Sequence, residues 1–176
     1  MKSLYTLQEF ISALSASSKD NYKDVFEKFN IDKAFVSQFE NWSDDRYVRN
    51  CMYKCDDFEL ILLCWEAGQQ TSIHCHGGED CWMYVVDGEL EEIQYEKCQN
   101  DTLTEKGTHK MLVGDCVHIN DSIAVHQLKN SFNGRSMSLH LYAKPILKCS
   151  YYSKETKRFE QKTLKYDTFK TEILNK

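Results

Sequence analysis

From Arg46 onward the chain runs in short segments of β-branched, aromatic and leucine residues, separated by Gly, Asn and Asp turn signals. No helical periodicity interrupts them. Parallel strands would need crossover helices, so such a run has to fold as strands that turn back on their neighbours. The segments read as strands near 46–54, 58–66, 71–75, 82–87, 89–97, 110–113, 116–119, 123–129, 136–143, 147–153 and 158–165. An antiparallel sandwich or barrel is expected, and among these the jelly roll. The single proline, Pro145, falls at the end of a strand, where a missing donor costs little.

Ahead of this body the pattern is helical. Thr6 with Glu9 three residues later forms a capping-box signature, and Leu7, Phe10, Ile11 and Leu14 follow at helical spacing, predicting a helix over 6–15. Tyr22, Val25, Phe26 and Phe29 mark a second helical stretch, and Phe35, Val36 and Phe39 a third. Their apolar surface is too small for a separate core. The expectation is therefore one domain over 1–176, with 1–40 as a helical layer packed on a β-barrel formed by 41–176.

Composition narrows the function classes. Gln8 and Glu9 interrupt the apolar run that a secretory leader would need, and no stretch approaches the roughly 18 apolar residues of a bilayer span. No membrane is expected as a partner, and the cytoplasm is the expected location. A net charge of −5, spread along the chain, lacks the basic surface that nucleic acid requires. The eight cysteines, at 51, 55, 64, 75, 81, 98, 116 and 149, are even in number, but Cys64 sits inside the apolar run Leu60 to Trp65 and no secretion signal accompanies them. Free thiols are expected. Cys51 and Cys55 have half of a zinc spacing, and no second pair completes it.

The pattern richest in chemistry is Gly68-x5-His74-Cys75-His76-x4-Cys81-x6-Gly88. Residues two apart on a strand point to one face, so His74 and His76 can present both imidazoles to one point. A third imidazole, His126, is supplied by Gly114-Asp115-x4-Asn120-Asp121-Ser122-Ile123-Ala124-Val125-His126-x3-Asn130. Alone, a His-x-His recurs by chance. Paired with the second glycine-led segment it resembles the two motifs of cupins, the first of which normally carries a glutamate ligand where this chain has Cys81. Three neutral imidazoles would leave iron(II) its full double charge and three open positions on one face. Zinc with three histidines and a water is the competing reading.

Four blocks in order, Tyr47-Val48-Arg49-Asn50, Ser72-Ile73-His74-x-His76-x4-Cys81, Ile119-Asn120-Asp121-Ser122-Ile123-x2-His126 and Ser138-Leu139-His140-Leu141-Tyr142, resemble the cysteine dioxygenase family over residues 40–150. The resemblance implies a cupin-type jelly-roll β-barrel and one Fe(2+) per chain, ligated by His74, His76 and His126. L-cysteine and O2 would be the substrates and cysteine sulfinic acid the product. Arg49 corresponds to the residue that binds the substrate carboxylate, which suits a planar guanidinium, and Tyr47 stands beside it. Cys81 and Tyr142 match positions joined by a thioether cross-link in the eukaryotic branch of the family. With them His140 would act as the hydrogen-bond partner of Tyr142, and Ser138 would support His140. Cys149 aligns with a pocket cysteine, and Trp65 is expected as a pocket wall. His109 and His118 match no functional position.

The chain departs from the family in two places. Ser-Pro-Pro with a cis bond often follows the tyrosine, whereas here Ala143-Lys144-Pro145 follows, and a cis Ala143–Lys144 bond would cost about 2.5–4 kcal/mol. The loop Gly77-Gly78-Glu79-Asp80 brings negative charge toward the metal and is expected to slow an anionic substrate. The alternative is a related dioxygenase of 3-mercaptopropionate, cysteamine or an N-terminal cysteine; Arg49 argues for a substrate carboxylate close to the thiol, and Cys81 further favours the cysteine enzyme. A non-catalytic cupin is the alternative from another class. A monomer is expected.

Overall fold

The computed structural model describes residues 6–29, 31–98 and 101–174, so part of the leader reading falls on 1–5, outside the described residues. Helix α1, Leu7–Ser15, starts on the capping box read above: Thr6 Oγ1 accepts from the Glu9 N–H at 3.2 Å and the Glu9 carboxylate accepts from the Thr6 N–H at 2.7 Å. Helix α2 spans Tyr22–Lys28, and α3, Lys33–Val36, is capped by the Asp32 side chain. Phe10 of α1 meets Phe26, Phe29 and Phe35 edge-on at 5.1–5.8 Å, which ties the three helices into one apolar layer.

Twelve strands follow among the described residues: β1 Val48–Lys54, β2 Glu59–Trp65, β3 Cys81–Asp87, β4 Glu89–Lys97, β5 Leu103–Leu112, β6 Cys116–Ile119, β7 Val125–Lys129, β8 Ser136–Tyr142, β9 Lys148–Ser153, β10 Arg158–Thr163, β11 Thr168–Phe169 and β12 Glu172–Ile173. They form a seven-stranded sheet in the order β12-β11-β1-β2-β8-β3-β6, a three-stranded sheet β5-β4-β7, and the hairpin β9–β10. Among the described residues the ladders do not close into one continuous barrel. The arrangement is a jelly roll of the cupin type.

Two strands at the centre of the large sheet fix what lies on each side. In β2, Leu60, Leu62 and Cys64 join the helical layer, while Ile61, Leu63 and Trp65 join a second cluster shared with Leu90, Met111 and Leu128 of the smaller sheet. Neighbouring β8 does the same, with Met137, Leu139 and Leu141 toward the helices and Tyr142 toward the interior. Both faces are buried, which is why these segments read as nearly unbroken apolar runs. All eight cysteines are free. Among the described residues no helix is long and apolar enough to cross a membrane.

Several expectations change. Residues 71–75 are not a strand. The segment is extended and pinned by single bridges, Gln70 to Lys129 and His74 to both His126 and Tyr151, so it links two sheets without belonging to either. The strand expected over 110–113 is the end of the ten-residue β5, whose first half is polar and mostly exposed and so shows no alternation. Strand β7 begins at Val125 rather than 123, because the N–H groups of Ile123 and Ala124 both donate to the Asn120 carbonyl in a turn. The short strands β11 and β12 lie beyond the last one expected. The described peptide bonds are all trans, Ala143–Lys144 included, and the chain turns there with Lys144 at φ 146°.

Candidate metal centre

His74 and His126 face each other across an antiparallel bridge, each N–H donating to the other's carbonyl at 2.9 and 3.1 Å. This brings their rings to 4.7 Å, and the ring of His76 lies 4.7 Å from His126 and 5.5 Å from His74. One nitrogen of each ring lies within 4.8 Å of the other two, a spacing that could hold a metal ion.

A fixed acceptor stands behind two of the rings: His74 Nδ1 meets the Ser72 carbonyl at 2.9 Å and His126 Nδ1 meets a Glu92 carboxylate oxygen at 2.6 Å. His76 Nδ1 lies 3.5 Å from Asp121 and makes no hydrogen bond among the described residues. Oxygen acceptors call for Nδ1–H, which leaves the Nε2 lone pairs for the metal. Burial, reinforced by the neighbouring imidazoles, pushes His74 down to about 3 and holds His126 well below its usual range. Uncharged imidazoles with free lone pairs are what a divalent cation binds.

Sequence reasoning missed Glu92 and Asp121 as partners of these histidines. Glu92 is 1% exposed yet sits in the charged run Glu89-Leu90-Glu91-Glu92, which reads as a solvated strand. The one signal was its phase: it lies two residues from the buried Leu90 and therefore on the same face. Asp121 also accepts from the His76 N–H at 2.5 Å and the Gly78 N–H at 2.7 Å, fixing the turn after the ligands. Asp80, in the same loop, is matched by Lys19 at 2.7 Å, His118 at 2.8 Å and Asn120 at 2.8 Å. The Asp80 part of the loop's negative charge is therefore compensated. His118 and His109 are exposed.

A small cavity of about 50 Å³ opens on the three histidines and is lined by Tyr47, Arg49, His140, Tyr142 and Cys149 among others. Arg49 is 8% exposed, and its Nε and Nη2 have no hydrogen-bond partner among the described residues. The Tyr142 side chain shares this cavity with the guanidinium and stands directly across from Cys81 in the strand pairing. Buried Glu59 acts on Arg49 through its charge but accepts its hydrogen bonds from the Ile146 N–H at 3.0 Å and the Tyr166 hydroxyl, with none from Arg49 among the described residues.

Strand register explains the grouping. Glu59, Tyr142 and Cys81 stand side by side across β2, β8 and β3, and Ile61, His140 and Met83 form the next row. Burial pushes both the Cys81 thiol and the Tyr142 hydroxyl well above their ordinary values, so both keep their protons. Trp65 Nε1 donates to Ser138 Oγ at 3.0 Å, leaving the Ser138 hydroxyl to donate to His140 Nε2 at 2.8 Å. His140 Nδ1 then faces Cys81 Sγ at 3.9 Å. The His140 and Tyr142 rings stack at 6.2 Å, and the hydrogen-bond partners of His140 are Ser138 and Cys81 rather than Tyr142. Trp65 is not a cavity wall. Tyr47 stacks in front of it at 4.6 Å, and Trp65 backs Tyr47 and Ser138.

Residues 2–155 match the family model described as "Cysteine dioxygenase type I". The chain is 28% identical to cysteine dioxygenase type 1 of Danio rerio over 183 residues, covering 97% of this chain and 87% of that protein. It is 28% identical to the Homo sapiens protein of the same name, covering 88% and 81% respectively. Among solved structures it is similar to a sugar phosphate isomerase from a cupin superfamily of Silicibacter pomeroyi, with a TM-score of 0.51 at 16% identity over 75% of this chain and 82% of that one. That likeness concerns the fold alone.

Proposed function

The chain belongs to the cysteine dioxygenase type I family, and from that premise we propose that it is an iron(II)-dependent dioxygenase converting L-cysteine and O2 to cysteine sulfinic acid. The observation that carries this reading is one cavity holding both a cluster of three metal-ready imidazoles and a buried guanidinium with two donors unmet.

The residues fit the metal. His74, His76 and His126 offer three nitrogen donors and no carboxylate. Fe(2+) held there would supply a site where a thiolate and dioxygen meet, so that both oxygen atoms reach one sulfur.

The chain's own residues select and orient the substrate. A carboxylate placed against Arg49 accepts from Nε and Nη2, each such charge-assisted bond being worth about 1.5–3 kcal/mol. Leaving those donors unmet carries a matching penalty, so a thiol that lacks an acid group is disfavoured. Cysteamine and a peptide's N-terminal cysteine lack that group. 3-Mercaptopropionate keeps it and is the second reading that Arg49 admits. Tyr47, stacked on Trp65 and lining the cavity with Arg49, limits where the carboxylate can lie, and Cys149 lines the same cavity. Tyr142 lines the cavity with Arg49 and faces Cys81 across the strand pair, while His140, held by Ser138 and Trp65, contacts Cys81.

Cys81 and Tyr142 are direct cross-strand partners. We assign them a thioether: the Cys81 sulfur bonds a Tyr142 ring carbon, each partner loses one hydrogen, and O2 accepts both as hydrogen peroxide. Linked protein is lighter by two hydrogens, and fully unlinked peptides from active enzyme would refute the assignment. We read the whole chain as one catalytic domain acting as a cytoplasmic monomer, the eight free thiols being those of a reducing compartment. A sedimentation mass well above 20.7 kDa would overturn the monomer.

The deciding experiment is anaerobic reconstitution with iron, then addition of cysteine and isotopically labelled O2, with the product mass measured. Cysteine sulfinic acid carrying two labelled oxygens is expected. Absence of oxygen uptake, or cystine as the sole product, would contradict the function, and equal activity of a zinc-loaded protein would contradict the metal.

A further inference from the structure

The family match ends at residue 155, yet one side of the substrate cavity is built from residues that follow it. Lys162 and Leu164 line the cavity. Two residues on, the Tyr166 hydroxyl donates to the buried Glu59 and accepts from Lys54 Nζ at 3.2 Å. The spacing of two places all three side chains on one face of an extended segment.

Asp167 then holds Arg49 by its main chain. The Arg49 N–H donates to the Asp167 carboxylate at 2.9 Å, and the Asp167 N–H donates to the Arg49 carbonyl at 2.8 Å. The same carboxylate accepts from Arg46 Nη1 at 3.0 Å and Nη2 at 2.5 Å, and Arg46 Nη1 also donates to the Tyr47 carbonyl at 3.0 Å. Beyond it β11 pairs in parallel with β1, Asn50 with Thr168, and Thr168 Oγ1 donates to Asn50 Oδ1 at 2.9 Å. Without this segment β1 would be a sheet edge with the polar groups of Arg49 unpaired.

We propose that Asp167 is a positioning residue for Arg49, and that the segment 162–168 is the wall that gives the pocket its selectivity for a carboxylate. The physical reason is the state of the guanidinium. Buried donors with no partner favour any shift that brings them to water, and such a shift is resisted only by fixing the backbone that carries them. Asp167 does this at both polar groups of the Arg49 main chain, and its pair with Arg46 fixes Tyr47 alongside. The proposal rests on the reading that Arg49 receives the substrate carboxylate.

The test compares Asp167→Ala and Asp167→Asn with the parent on L-cysteine and on cysteamine, the latter followed by turnover or by its inhibition constant against cysteine. Asp167→Ala is expected to raise KM for cysteine about tenfold, with kcat within about twofold, and to leave the cysteamine constant unchanged. Asp167→Asn keeps an oxygen for the Arg49 N–H and loses the ion pair, so a change of about threefold is expected; it is the variant to read if the alanine protein does not fold. A general structural role would move both thiols in proportion, and that result, or no change in either, overturns the proposal. Amide hydrogen exchange at Arg49 gives a readout independent of chemistry: it should be about tenfold or more faster in Asp167→Ala. Parent enzyme that turns over no thiol would overturn the functional reading alone, since Arg49 amide protection would still report on the anchor.

Discussion

Replacing Glu92 by glutamine removes one negative charge and forces one hydrogen bond to reverse. Glu92 now accepts on both oxygens, from His126 Nδ1 at 2.6 Å and from Gln94 Nε2 at 3.0 Å. An amide offers one acceptor and one donor, so it keeps its oxygen for His126 Nδ1 when the contact to Gln94 reverses, Gln94 turning its own amide to accept. The charge that polarises His126 is gone. A charge-assisted bond of this kind is worth about 1.5–3 kcal/mol. Outer partners of ligating histidines typically matter by about 10–100-fold in metal affinity, or about 1.4–2.8 kcal/mol, so the two routes agree. Stability should respond with the opposite sign. Glu92 is 1% exposed, and burial raises its carboxyl above the ordinary value against the hydrogen bond from Gln94, so the metal-free fold carries the cost of a buried charge. Glu92→Gln is therefore expected to bind Fe(2+) about 10–100-fold more weakly in an anaerobic titration against a competing chelator, while the metal-free protein melts no lower than the parent. Affinity within about threefold of the parent, or affinity and melting temperature falling together, would refute the role given to Glu92.

Arg49→Lys keeps the charge but loses the two-donor fork, so kcat/KM for cysteine should fall about 10–100-fold in oxygen-uptake assays, and a parental value would remove Arg49 from substrate binding. Burial alone would raise the Asp80 carboxyl, but hydrogen bonds from Lys19, Asn120 and His118 hold it well below the ordinary range. Its folded value lies below the unfolded one, so its contribution is present above about pH 4 and lost as pH falls further. Asp80→Asn should cost about 1–2 kcal/mol in urea unfolding at about pH 7 and less as pH falls below about 4, and a cost that grows on acidification would contradict this. Burial pushes Cys51, Cys64 and Cys116 up to about 12, so a maleimide at neutral pH should label exposed Cys98 first and leave those three unmodified in peptide maps of the native protein.

What could be read from the sequence was whatever strand periodicity encodes. Leu60 to Trp65 and Ser136 to Tyr142 are buried on both faces, and their apolar runs show it. The spacing of His74 and His76 carries their shared direction, and the glycine-led second segment carries His126. Features set by lateral pairing stayed hidden. His140 lies two residues from Tyr142, but the register of β8 against β3 brings it to Cys81. Trp65 shares its face with cavity residues and is screened from the cavity by Tyr47, a neighbour far away in the chain. Polar segments misled for a different reason. Glu92 looks solvated because its partner His126 comes from another strand, and the first half of β5 is mostly exposed, so no alternation marks it. The segment carrying Asp167 has strands of two residues, too short for any alternation to register.

The most direct measurement is X-ray absorption at the iron edge of anaerobically reconstituted protein, before and after cysteine is added, for the parent and for His126→Ala. One iron per chain in a shell of nitrogen and oxygen neighbours is expected, with one sulfur neighbour gained on adding cysteine, and a large loss of bound iron in the variant. Iron held equally well without His126, or a shell that gains no sulfur, would contradict the placement of a ferrous ion among His74, His76 and His126 as the site where the thiol is oxidised.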